Sequence, residues 1–384
     1  MTDRLALGYI PLLDAAPLIV AQELGFAEEE GLSLDLVPAT GWSMLRDLLD
    51  FGTVVAAQML SVMPVARALG LGGGSQHLET ALILSLNGQV FGISEGLAPA
   101  FAGLDFGDAP GAARVLAGLP GRLRIGVPFP FSMQAELLHY WLSRAAPDAR
   151  IDIRTVPPPR MAKALLANEI DGFCVGEPWG SHAVEMADAR LVLPGSAIWS
   201  QAPEKVLAMR KGWAEAEPEL AGRLLRAIWR AGRWTGKETN RDTLSEILAR
   251  PDYLGVPSDL IDRALHGRMQ VTRTGHEIAV DQFQTFHAGA ASFPWRSQAA
   301  WIGARLAERF GLPDAEAQAA AAGVFRSDLY RRFLGPIGIP LPRASGKIEG
   351  ALDRRESVPA VHGLITLERN RFFDGQFFDP RLPV

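Results

Sequence analysis

Short apolar runs alternate with segments of helical spacing along most of the first two hundred residues. Leu5 to Ile10 is an apolar run that predicts a strand, Pro11 to Asp14 a turn, and Ala15 to Leu24 a helix closed by Gly25 at a favourable C′ position. "GLSLDLVPA" then alternates every second residue, the period of a strand with one face buried. Ser43 is placed to cap a helix over "MLRDLLDF", Gly52 stops it, and "TVVAAQML" has the two-sided apolar character of a strand covered on both faces. The theme returns with a strand over Leu123–Val127, a Pro/Phe turn, Ser132 as a second cap and a helix running to Ala145. "IDIRTVPPP", "RMAKALLANE" and "IDGFCVG" follow as strand, helix and strand. Such alternation predicts an α/β protein with parallel sheets. "LLDFGTVVAAQML" and "LLANEIDGFCVG" share one layout, a helix end leading into a buried strand, which suits two α/β lobes better than one long sheet. From Glu204 to about Gly232 the spacing predicts helix, and helices continue to about Leu334. The last fifty residues, rich in Pro, Gly and Arg, predict an extended tail on the surface of a lobe, with its Phe pairs as anchors in apolar grooves.

Composition removes several function classes. A net charge of −5, with both signs scattered along 384 residues, offers no basic footprint for nucleic acid or an anionic membrane. One Cys rules out an internal disulfide framework or a multi-cysteine metal site, and the seven His lack metal-ligand spacing. No metal and no cofactor is expected. No apolar run reaches the ~18 residues that cross a bilayer. The chain reads as structure from its first residues, so the expectation is a soluble, cytoplasmic protein, or a periplasmic one if an export signal has been removed.

In open α/β sheets ligands sit at the carboxyl ends of strands, where helix N-termini present free N–H groups. Four strand-end segments qualify: "TGW" at 40–42, "NGQ" at 87–89, "FSMQ" at 131–134 and "CVGEPW" from 174. None holds an obvious nucleophile, so no catalytic residue is assigned. Trp42 could cover a planar ligand and offer its indole N–H, or simply pack under its helix. Gln89 and Gln134 are amide donors, although on residue type alone a loop or first-turn glutamine faces water. Lys205 is the cation near the expected lobe crossover, and on residue type alone a surface lysine. Cys174, among Phe173 and Val175, is a buried and inert thiol on this reading. Gly176, at the strand end, lets a ligand approach the backbone closely. Glu177 beside it is a loop-fixing carboxylate, since no partner acid appears.

Eight collinear segments carry a resemblance over nearly the whole chain: "GYIPLLDAAPLIVAQELGFAEEEGL", "WSMLRDLLDFG" with "AAQML", "LNGQ", "VPFPFSM" with "YWL", "VPPPRMAKAL", "DGFCVGEPW", "PEKVLAMR" and "VFRSDLYRRFL" with "FFDG". Together they resemble the nitrate- and bicarbonate-binding family of ABC-transporter solute receptors, and within it most the cytosolic nitrate/nitrite sensors. The resemblance implies a two-lobed, periplasmic-binding-protein-like (type II) fold. The expected division is residues 1–90 and 200–330 for lobe I, 91–199 for lobe II, and 331–384 for the tail. It implies that nitrate or nitrite is held by Trp42, Gln89, Gln134, Gly176 and Lys205, with Gln134 standing where the family has His. A Gln still donates a hydrogen bond but cannot become cationic. Bicarbonate-binding relatives carry an acid where Lys205 stands and take a metal with the anion, so the resemblance implies a metal-free site here. It also implies an RNA-binding antiterminator as partner. A receptor delivering solute to an ABC permease is the alternative, and an enzyme like the thiamine-pyrimidine synthases a weaker one, for want of their Cys-rich stretch.

Overall fold

The computed structural model describes residues 2–275 and 277–380. Two sheets form its core. The first contains β1 (Asp3–Tyr9), β2 (Leu32–Pro38), β3 (Ala56–Leu60) and β4 (Leu78–Asn87). The second contains β5 (Gln89–Ile93), β6 (Leu123–Val127), β7 (Ile151–Thr155), β8 (Gly172–Gly176) and β9 (Arg190–Pro194). The chain then returns to the first sheet as β10 (Pro203–Arg210), which lies between β4 and β3, and the short strand Gln284–Thr285 closes the β4 edge. The result is an α/β periplasmic-binding-protein type II fold with two mixed sheets.

Two expectations need correction. Both sheets are mixed rather than parallel, because β10 runs antiparallel to β3 and β4, and β5 antiparallel to β8 and β9. Residues 203–210, expected to begin a helical stretch, are strand instead. All but Arg210 are buried, so β10 is covered on both faces and shows no alternation. Its apolar stretch, residues 206–209, fits a buried strand or a buried helix equally well. Helix proper starts only at Trp213.

The chain crosses between sheets twice, at Asn87–Gly88 and between β9 and β10. Gly88 has φ +92°, and a Cβ there would lie 2.7 Å from Gln284, so the first crossing depends on glycine. Ser132 caps the helix Met133–Ala145 as expected, its side-chain oxygen accepting the Ala135 N–H at 3.2 Å. Ser43 does not cap its helix. That helix runs Trp42–Asp50 behind an extended Gly41, which brings the Trp42 indole into its first turn.

The tail does more than lie on one lobe. Phe372 is buried against Trp199 and Trp301, with ring centroids 5.0 and 5.9 Å away, and against Tyr140 on the second-sheet side at 5.3 Å. The Tyr140 hydroxyl donates to the Asp374 carboxylate at 3.1 Å. Asn370 accepts the Trp199 indole N–H at 2.8 Å and donates to Glu349 at 2.6 Å. Phe377, by contrast, is exposed, so only part of the predicted anchoring is realised.

Candidate functional site

The five residues singled out from the sequence come to one place. Gln89 opens β5 and faces Gly176, the last residue of β8, directly across the ladder. Cross-strand partners share a sheet face. Gly176 has no side chain, and a Cβ there would sit 3.8 Å from Asp14 Oδ2 and 3.7 Å from Leu12. The Glu177 N–H donates to Gly88 O at 3.0 Å. Antiparallel alternation therefore turns the neighbouring Gly176 N–H away from β5, towards the side where β6 pairs only as far as Phe173. From the first sheet, Lys205 Nζ lies 5.5 Å from the centre of the Trp42 ring, and from the helix that follows β6, Gln134 Nε2 donates to Glu204 Oε1 at 2.5 Å.

Two carboxylates that the sequence reading missed sit at the centre. Lys205 Nζ is 2.8 Å from Asp14 Oδ2 and 2.6 Å from Glu204 Oε1, with all three side chains buried. Glu204 and Lys205 are consecutive in β10, and a regular strand would send them to opposite faces. The register between β10 and β4 shifts on both sides of Lys205, an irregularity of the kind that re-aims a side chain. Asp14 is steadied by the Gln58 amide, whose own oxygen accepts the Ile10 N–H at 2.9 Å. Burial pushes the Glu204 carboxyl up, against the pull of Lys205. Burial also works to lower the Lys205 ammonium, but Asp14 and Glu204 outweigh it and raise it above its ordinary value, so it stays charged. Lys205 is thus a cation already shared between two acids, not a free one. An acid directly before a lysine in an apolar run was the available signal.

Around this cluster five buried polar atoms have no hydrogen-bond partner: Trp42 Nε1, Gln89 Nε2 and Oε1, Gln134 Oε1 and Glu204 Oε2. Each such atom costs about 1–3 kcal/mol, so proteins rarely leave one without reason. An ammonium has three N–H donors, and two are used by Asp14 and Glu204, which leaves one for a ligand. The site therefore offers buried donors from Trp42, Gln89 and Lys205. A cavity of about 530 Å³ adjoins Trp42, lined by Ile10 and Gly41 from one lobe and by Phe129, Pro157 and Arg160 from the other. A smaller cavity of about 180 Å³ lies under the tail at Trp295 and Lys347, away from these groups.

The remaining candidates are structural. Cys174 is buried, and burial followed by the nearby Glu204 pushes its thiol well above the usual range. Glu177 accepts the Ser181 N–H with both oxygens, at 3.2 and 3.1 Å, and so fixes the start of the helix Trp179–Ala187. Burial raises Glu177 from 4.5 to about 7. Its folded value lies above its unfolded one, so the stability it contributes is complete below the unfolded value and is lost as pH rises through the folded one. Melting temperature should fall between about pH 4.5 and 7, and Glu177→Gln should flatten that fall in a pH series of thermal melts.

Residues 2–249 match the NMT1-like family. The chain belongs to that family. It is 30% identical over its full length to the nitrate/nitrite binding protein NrtA of Nostoc, covering 84% of that protein. It is also 34% identical, over 81% of its length, to the nitrate import ATP-binding protein NrtC of Synechocystis. The chain spans about half the length of that and another NrtC relative. Its structure superposes on the periplasmic nitrate-binding protein NrtA of Synechocystis with a TM-score of 0.85 at 25% identity, covering 99% of this chain and 96% of that one. The relatives matched over nearly the full length of the chain are named as binding proteins, not as enzymes. Among the described residues no helix is long and apolar enough to cross a membrane.

Proposed function

We propose that this chain binds a small monovalent oxyanion, nitrate or nitrite, between its lobes through Trp42, Gln89, Gln134, Gly176 and Lys205. The observation that carries the reading is the cluster of buried, unpartnered polar atoms around the Lys205 ion pairs. A planar oxyanion has lone pairs for the Trp42 indole N–H, the Gln89 amide, the Gly176 N–H and the third N–H of Lys205. Binding would remove the cost of leaving those donors unmet. The likeness to NrtA over the whole chain supports the same ligand class. No metal takes part, because the two carboxylates that could hold one are already on Lys205. Gln134 gives one of its two amide N–H donors to Glu204, and unlike a His it cannot act as a cation.

Binding is read as a signal in the cytoplasm. The open, ligand-free form holds an RNA-binding antiterminator, and closure over the anion releases it, which requires the partner to favour the open state. Modules of this kind also form part of a nitrate import ATP-binding protein, so the fold is not confined to free receptors. Delivery of the anion to an ABC permease is the second reading, favoured by the full-length likeness to NrtA. Isothermal titration of the purified chain with nitrate and with nitrite tests the ligand. Saturable heat with one of them is expected, and no heat with either at millimolar concentration refutes it. Co-purification with the antiterminator that nitrate abolishes supports the signalling role, and a nitrate-insensitive absence of any complex contradicts it.

A further inference from the structure

The charge count of the site does not suit an anion as it stands. Asp14, Glu204 and Lys205 together carry a net negative charge when all are ionised, and all three side chains are buried. Adding nitrate or nitrite would bring a second uncompensated negative charge beside the first, and like charges in a low dielectric repel strongly. We propose that anion capture is coupled to the uptake of one proton by Glu204, so that the neutral carboxyl donates a hydrogen bond to the bound anion; this rests on the oxyanion reading above. Glu204 Oε2 is buried and lacks any partner, which makes it the atom for that proton, while Oε1 continues to accept from Lys205 and Gln134. The proton comes from solvent and the carboxylate becomes a carboxyl, with no other bond made or broken. Asp14 keeps its own partners, Lys205 and the Gln58 amide.

The surroundings of Glu204 favour its neutral form once the anion takes a share of Lys205. On the first-sheet side it faces Lys205 and, beyond it, Asp14. From the second lobe come Gln134, an amide that is indifferent to protonation, and Cys174, a thiol that burial keeps protonated. Lys205 is the sole cation among these groups, and it divides its charge between two acids. The device also sets selectivity. A site that carries its own proton favours an anion that can accept a hydrogen bond without itself needing a positive counterpart, and rejects divalent oxyanions, which would restore the excess negative charge.

The test is calorimetric titration of nitrate and nitrite into the full chain, in two buffers of different ionisation enthalpy, from about pH 6 to pH 8.5. About one proton should be taken up per anion at the alkaline end, and affinity should fall roughly tenfold per pH unit there. Glu136, paired with Arg309, and Glu177 are two other buried acids, each raised by burial to about 7, so a variant is needed to assign the proton. Glu204→Gln should bind with no buffer-dependent heat and with an affinity that is flat across the series. Wild-type binding without proton uptake overturns the proposal and leaves the oxyanion reading intact. Uptake that persists in Glu204→Gln also overturns it, by moving the proton elsewhere. Absence of binding in both proteins overturns the oxyanion reading and the proposal with it.

Discussion

Lys205→Met should lose about 3–5 kcal/mol of stability and all measurable anion binding. The substitution keeps an unbranched apolar stem only one heavy atom shorter, so packing in β10 is little changed. What it removes is the one cation between Asp14 and Glu204, which are buried and linked through it at 2.8 and 2.6 Å. Two carboxylates left buried beside each other repel, and each loses its charge-assisted hydrogen bond. Glu204, already raised by burial, would then protonate readily, so the stability deficit should shrink as pH falls. Denaturant unfolding at two pH values checks both the size and this trend. Adding Asp14→Asn to Lys205→Met should return much of the stability without returning binding, because the excess charge goes but the donor does not. A Lys205→Met variant as stable as the parent would mean that the ion-pair cluster contributes nothing.

Gln89→Leu should move stability and binding in opposite directions. Both amide atoms of Gln89 are buried without a partner, and its side chain lies over Gly195 in a fully buried strand. An apolar replacement of similar volume removes an unmet donor and an unmet acceptor, each a cost of about 1–3 kcal/mol in the unliganded protein. Thermal unfolding should therefore show a variant at least as stable as the parent. Binding should fall by more than about tenfold, because a hydrogen bond to a charged ligand contributes roughly 1.5–3 kcal/mol. A purely structural glutamine gives the reverse pattern, with stability lost and nothing to bind. The opposition follows from the same physics that makes functional sites costly: polar groups aimed at a ligand are unsatisfied until it arrives.

Much of the architecture was visible in the pattern of the chain, and the failures have physical causes. Helix caps such as Ser132 act locally, so local sequence predicts them. The strand β10 does not announce itself, because burial on both faces erases the period that marks a strand. Its antiparallel insertion between β3 and β4 joins residues more than a hundred positions apart on both sides, which no window of sequence contains. The same holds at the site. Residue type alone left Trp42, Gln89, Gln134 and Lys205 open between ligand contact and ordinary packing or surface roles; the family resemblance is what singled them out. Asp14 and Glu204 escaped both routes. They matter through a three-way meeting of a turn, a strand irregularity and a helix start, and only coordinates show that Lys205 is shared rather than free. Gly176 was reached through its backbone, and the ladder beside it gives the reason: its N–H points out of the β5 pairing.

The central claim is that one monovalent oxyanion completes the polar atoms gathered around Lys205. A crystal structure of the chain grown with saturating nitrate tests it most directly. The account predicts planar three-oxygen density within hydrogen-bonding distance of the Trp42 indole N–H, the Gln89 amide and the Lys205 ammonium, beside Gly176. Nitrate bound elsewhere, with Gln89 and Trp42 satisfied by protein groups or ordered water alone, would contradict it.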